Sequence, residues 1–365
     1  MHAKTQTATG APAIEAPSID EGQLNALLGR AITDVGATSL APLVLIGDRL
    51  GLYRALFTYG ALTSNELAQR TGTRERYIRE WLNANAASGY VDYLPQSGKY
   101  RLTTEQAMLF ADEDSPAFMV GGFETALSAG RIVDRLTDAF KTGAGIGWHE
   151  HDAGVFHGCG RFYRAGYLGN LLQSWIPSLD GVQARLEDGI RVADIGCGHG
   201  HSTMILAKAF PKSRFIGFDY HEDSVRVATE RARDAGLTNV AFQVGGGADY
   251  PGTFDFVAVF DALHDMGDPA ACARHVLQSL APGGAWMIVE PYAGDRVEEN
   301  LNPIGRAYYA GSTLMCTPCS LAQEGGMALG AQAGEARMRA VVTGAGFKQF
   351  RRAMQSPVNL VYEVR

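Results

Sequence analysis

An α/β protein with a parallel sheet in its C-terminal half, preceded by a helical front half, is predicted by three features of the sequence. RVADI, TMILAKAF and RFIGFD, within residues 191–219, read as strand, helix and strand, with a glycine-rich run after the first strand. The later runs VAFQV, FDFVAVF and AWMIVE are short and apolar, as strands covered on both faces should be. Upstream, apolar residues from Leu24 to Leu56 recur at helical spacing.

The bulk composition bounds what such a chain can do. At 365 residues it suits about two domains, and 46% hydrophobic with 19% charged residues excludes wholesale disorder. A net charge of −7 argues against coating nucleic acid or anionic lipid through bulk charge. Five cysteines, an odd number spread from Cys159 to Cys319, predict reduced thiols and a cytoplasmic setting rather than a disulfide framework. The first 20 residues are rich in Ala, Pro and Thr and predict a mobile tail. They hold no apolar core of signal-peptide length, and no consecutive apolar run approaches the ~18 residues of a membrane span.

Residues 21–110 predict a helical and winged-helix domain. Pro42 should split the first apolar stretch into two helices, and an apolar helix near the terminus predicts pairing with a second copy of the chain. Thr63 or Ser64 should cap a short helix ending at Gly72, and Thr73 a second one through Ala87. The segment YVDYLPQSGKYRLT then alternates around a glycine-containing turn like a hairpin. Two readings of this winged helix compete. Arg74, Arg76 and Arg79 suit DNA phosphates, which would make the chain a regulator with a ligand-sensing second half. Eight basic against six acidic residues from Leu40 to Phe110 make a weak footprint, and favour a scaffold for dimerisation and substrate covering.

Residues 111–188 predict an irregular helical connector folding over a site. Its His149, His151, His157 and Cys159 lack the paired spacing of a structural zinc centre, so no metal is expected. Tyr163 and Tyr167 are candidates to face a cationic ligand, with plain packing the alternative.

From residue 189 the chemistry becomes specific. Asp194, Gly196, Gly198 and Gly200 spell D-x-G-x-G-x-G between strand and helix, where missing Cβ atoms let a ligand approach the backbone. Asp219 ends the next strand nineteen residues after Gly200, placed to accept hydrogen bonds from the two hydroxyls of a ribose. A dinucleotide site is the rival, but its fingerprint is G-x-G-x-x-G, and here the third glycine comes one residue early. That tighter turn, with an acid before it, suits the amino-acid end of S-adenosylmethionine.

The runs VADIGCGHGHST, GFDYH, FDALHDMGDP, LAPGGAWMIVEP and AGFKQFRRAMQSPVNLVYEVR together resemble a class I S-adenosylmethionine-dependent methyltransferase. With the winged-helix front half, the chain is similar to the bacterial small-molecule methyltransferases in which such a domain mediates dimerisation. The resemblance implies a Rossmann-like sheet of seven strands, one of them antiparallel, over residues 189–365. It implies transfer of a methyl group to O, N or S of a small organic molecule, and cofactor contacts from Asp194, Gly196, Cys197, Gly198, Gly200, Asp219, Tyr220, Asp261 and Tyr163. One departure stands out. The family's acid after the third strand is replaced by Gly245, Gly246 and Gly247, so either Asp249 reaches back or backbone groups hold the adenine.

Methyl transfer to a weakly nucleophilic hydroxyl needs a base near the methyl group. Past the fourth strand stand Asp261, His264 and Asp265, and the fifth strand ends at Glu290. His264 is the candidate base, with Asp265 or Glu290 orienting its far nitrogen; an ordinary role at the strand end is the alternative. Residues 291–334 form an insertion whose Tyr292, Tyr308, Tyr309, Leu314 and Met315 suit a lid over an apolar acceptor. Cys316 and Cys319 within it read as pocket-wall thiols rather than a zinc or redox pair.

Overall fold

The computed structural model describes residues 19–365, so the predicted tail lies outside the described residues except for Ile19 and Asp20. Two units are distinguished, Met1–Leu40 and Ala41–Arg365. In the first, Leu24, Leu27, Leu28, Ile32 and Val35 are all exposed. Helix Glu21–Arg49 corrects two expectations. It contains Pro42 instead of stopping there, and the break comes at Gly51, which has φ +66° and precedes helix Leu52–Tyr59. The turn after Pro42 is pinned by the fully buried Val44 and by Trp81 Nε1, which donates to the Leu43 carbonyl at 2.8 Å. These contacts offset the ladder bond that proline cannot make. The same helix also has a window of mean hydropathy 1.3, long and apolar enough to cross a membrane by length and composition. Counting consecutive apolar residues missed it, because Gly, Thr, Arg30 and Asp34 are interleaved with its apolar residues.

The winged helix forms from local signals. Thr63 caps helix Ser64–Thr71 in a reciprocal box with Glu66. The next helix, Glu75–Ala87, starts after Arg74 with no side-chain cap; Thr73 bonds the Thr71 hydroxyl instead. Strands β1 (Asp92–Leu94) and β2 (Lys99–Arg101) make the antiparallel wing.

Seven strands build the main sheet: β3 (Arg191–Ile195), β4 (Arg214–Asp219), β5 (Val240–Val244), β6 (Phe254–Phe260), β7 (Leu280–Pro291), β8 (Phe350–Gln355) and β9 (Asn359–Val364). Their order is β5-β4-β3-β6-β7-β9-β8, and β9 pairs antiparallel with both neighbours. Residues 256, 258 and 260 of β6 pack into one apolar layer and 257 and 259 into another, so both faces are buried. The chain runs outward from β3 to β5, then returns to the other side of β3 as β6. That reversal opens a crevice at the carboxyl ends of β3 and β6, where open α/β sheets bind ligands.

The connector is held close. Helix Ala153–Asn170 packs on helix Val120–Ala129, and a Cβ on Gly121 would stand 2.6 Å from the Gly158 carbonyl oxygen. Arg161 on this helix is nearly buried, pairing with both carboxylate oxygens of Asp48 at 2.9 and 3.2 Å and with Glu113 at 3.0 Å. The opposite side of the helix faces the crevice.

Candidate active site

A cavity of about 270 Å³ opens at the crevice, walled by the glycine turn, Asp219, the residues after β6, the connector helix and the segment around Cys316. The turn after β3 is shaped from below. Asp194 is buried and accepts the hydroxyls of Ser202 and Thr203 at 2.7 and 2.6 Å, tying the strand to the start of helix His201–Ala209. Burial raises its carboxyl to about 6, against those hydrogen bonds. Gly198, with φ +51°, has open space where a Cβ would stand. Gly200, with φ +76°, has the Phe242 ring 2.5 Å from that position, so only glycine fits both the backbone and the packing.

Asp219 closes the turn from the neighbouring strand. Its Oδ2 accepts the Gly198 amide and its Oδ1 the His221 amide, both at 2.8 Å. Each oxygen keeps a second acceptor position, and the carboxylate lies in the cavity wall. Burial raises its pKa despite those two amides.

The residues after β6 carry the remaining charge. Asp261 adopts φ +50°, a strained value outside glycine, and its Oδ1 accepts Asn359 Nδ2 at 3.0 Å. Its Oδ2 is buried with no hydrogen-bond partner among the described residues. Burial, with the nearby Glu290 charge, pushes this carboxyl well above the usual range. His264 sits on the short turn Leu263–Asp265, 2% exposed, and its Nδ1 donates to Glu290 Oε2 at 2.6 Å. Glu290 Oε1 in turn accepts the Leu263 amide at 3.1 Å, which locks the carboxylate. Burial opposes the imidazolium, but the Glu290 charge and the hydrogen-bond contacts with Cys316 and Glu290 outweigh it and raise His264 well above its ordinary value. Asp265 is lifted to about 7, chiefly by burial.

Residues 186–330 match the methyltransferase-domain family and residues 38–111 the Rv2258c-like winged HTH domain. The chain carries a methyltransferase domain. A ubiquinone biosynthesis O-methyltransferase of Methylococcus capsulatus is 35% identical over 99 residues, 26% of this chain and 41% of that protein. The chain spans less than half the length of such curated relatives. Among solved structures, human N-acetylserotonin methyltransferase in complex with SAM superposes with TM-score 0.70 at 16% identity, covering 96% of this chain and 99% of that one. An O-methyltransferase family protein from Burkholderia thailandensis has TM-score 0.64 at 17% identity, covering 96% and 98%. At these identities the likeness establishes the fold: a seven-stranded methyltransferase sheet behind a winged helix.

Within this methyltransferase fold, Gly196, Cys197, Gly198, Asp219, Tyr220, Asp261, His264, Asp265 and Tyr163 share the cavity wall. Asp194 and Gly200 do not reach it; they shape the turn from beneath. Asp249 is exposed and absent from the wall, because its Oδ1 accepts the Gly246 amide at 2.7 Å within its own loop. Gly245, Gly246 and Gly247 line the cavity in its place. Glu290 stands behind His264 and orients it, a part that Asp265 does not take. The lid aromatics also depart from expectation: Tyr292, Tyr308 and Tyr309 stay out of the wall, and the Tyr308 hydroxyl donates to the Val358 carbonyl at 2.8 Å. Met315 and Cys316 do line the cavity, at the end of the π-helical turn Ser312–Cys316.

His199, inside the glycine motif, and His201, directly after it, were missed as wall residues. Burial and the Arg231 charge lower them to about 4 and about 3, so both are neutral at pH 7. A motif read for its glycines passes over the residues between them.

Proposed function

We propose that the chain transfers the methyl group of S-adenosylmethionine to a hydroxyl of a small organic molecule, with His264 as general base. The observation that carries this reading is His264, held from behind by the buried Glu290, on the wall of the cavity that Asp219 and the glycine turn also line. A ribose-binding carboxylate and a base thus share one chamber.

The residues fit such a donor. Asp219 has two acceptor positions left for the ribose hydroxyls, and the turn is open at Gly198 for the amino-acid end. Asp261 Oδ2 is an unmet buried acceptor, and buried polar groups are normally paired. The backbone of Gly245–Gly247 takes the adenine side, with Asp249 bracing that loop through Gly246. Cys197 and Tyr220 flank the same wall, and the Tyr163 and Tyr167 rings, near parallel with centroids 6.4 Å apart, close it from the connector. When bound, the donor supplies an electrophilic methyl group on a sulfonium. The chain's own work is to exclude water, align the acceptor and take its proton at His264 Nε2, while Glu290 holds the opposite nitrogen and stabilises the imidazolium. A hydroxyl is favoured over an amine or thiol because it alone needs so strongly supported a base. The test is incubation of the purified chain with methyl-labelled donor and small phenols and alcohols. Label on an acceptor oxygen supports the reading; label confined to nitrogen or sulfur acceptors overturns it.

An enzyme is preferred to a DNA-binding regulator because the helix that would enter the groove neutralises its own arginines. Arg76 pairs with Glu80 at 2.6 Å, and Arg79 makes a two-pronged contact with Glu75 at 2.8 and 2.6 Å. The exposed apolar side chains of residues 24–35 are assigned to pairing with a second copy. Light scattering on the full chain is expected to give twice the monomer mass, and Leu28→Glu with Ile32→Glu to give monomer; a monomeric wild type would contradict the pairing.

A further inference from the structure

The Glu290–His264 pair does not end at the imidazole. Cys316 Sγ stands 3.3 Å from His264 Nε2, opposite the nitrogen that Glu290 holds. Nucleophile, base and orienting carboxylate therefore lie in series, the arrangement that activates cysteine and serine nucleophiles on unrelated folds. Cys316 comes from the insertion, 52 residues from His264 in sequence. It ends a π-helical turn, whose extra residue changes which side chains face inward.

The other four cysteines lack such a partner. Cys197, Cys272 and Cys319 are buried, and burial pushes the Cys272 thiol up to about 12. Cys159 is partly exposed, but the Thr125 hydroxyl donates to it at 3.7 Å and burial lifts it to about 12 as well. Cys316 alone combines partial exposure, a cavity wall and a base in contact. The same wall presents Asp261 Oδ2, buried and unpartnered, which gives an entering polar group something to bond.

We propose that Cys316 is a covalent modification site, a base-activated thiol that adds soft carbon electrophiles of the α,β-unsaturated carbonyl class. Sγ bonds the β-carbon, the C=C π pair moves toward the carbonyl oxygen, and the thiol proton passes to His264 Nε2 and from there to the resulting enolate. Atoms and electrons balance without a further reactant. The adduct fills the space beside Nε2 and withholds that nitrogen from any other nucleophile, whatever reaction the cavity performs.

The test uses the full chain, substoichiometric N-ethylmaleimide at neutral pH and peptide mapping of the adduct by mass spectrometry. Cys316 is expected to carry the first label, at least about tenfold faster than any other cysteine, and His264→Asn to slow it by about tenfold or more. Glu290→Gln, which keeps the side-chain shape, is expected to slow it too and serves if His264→Asn does not fold. First labelling at Cys159 or Cys319, or an unchanged Cys316 rate in the folded variants, overturns the proposal. Because no methyl donor is present, failure here leaves the methyl-transfer reading standing, and the converse holds.

Discussion

His264→Ala is expected to lower kcat for a hydroxyl acceptor by about 10²- to 10⁴-fold, the usual worth of a positioned base, while donor affinity stays within about twofold. The asymmetry follows from the roles proposed: Asp219 and the glycine turn to hold the donor, and His264 Nε2 to take the acceptor proton. The pH dependence carries a second sign. Because Glu290 raises His264 above its ordinary value, and the base must be neutral to act, the rate should climb with pH along a limb above that value. Glu290→Gln removes the charge that favours the imidazolium and leaves burial, which disfavours it, so the limb should move to lower pH while kcat on its plateau falls. Initial rates across pH for wild type and both variants check this. An unchanged kcat in His264→Ala would take His264 out of proton transfer.

Asp219→Ala is expected to weaken donor binding by about 100-fold or more. Two hydrogen bonds from sugar hydroxyls to a buried carboxylate are each worth about 1.5–3 kcal/mol. The same substitution strands the Gly198 and His221 amides that the carboxylate now accepts, so the turn loosens as well. Asp219→Asn separates the two effects. An amide oxygen can still receive one of the two backbone N–H groups, so Asn should melt closer to wild type than Ala does yet lose much of the affinity. Calorimetry with S-adenosylhomocysteine beside thermal melts distinguishes the two; equal affinity in wild type and Asp219→Asn would remove this residue from the donor site.

How legible the molecule was depended on whether a feature is set locally. Strands Arg191–Ile195, Arg214–Asp219, Val240–Val244 and Phe254–Phe260 match the runs read from the sequence residue for residue, since each is bounded by turn residues. The Thr63–Glu66 capping box was equally plain. Pro42 misled because its lost bond is offset by Trp81, 38 residues from the carbonyl it meets. Of the site, the glycine turn, Asp219 and His264 were readable because their spacing follows strand ends. Asp249 was not, since a local bond to the Gly246 amide competes for its carboxylate. Nor was the lid: Tyr308 points to Val358 rather than to the cavity, and Cys316 reaches His264 only through the π-helical turn. Side-chain direction over such distances is decided by packing, which spacing along the chain does not encode.

Isothermal titration of the purified chain with S-adenosylhomocysteine, and separately with NADH, tests the central claim most directly. Saturable binding of S-adenosylhomocysteine at one site per chain, with no heat from NADH, is the expected result. Binding of NADH with S-adenosylhomocysteine ignored, or of neither, would contradict it.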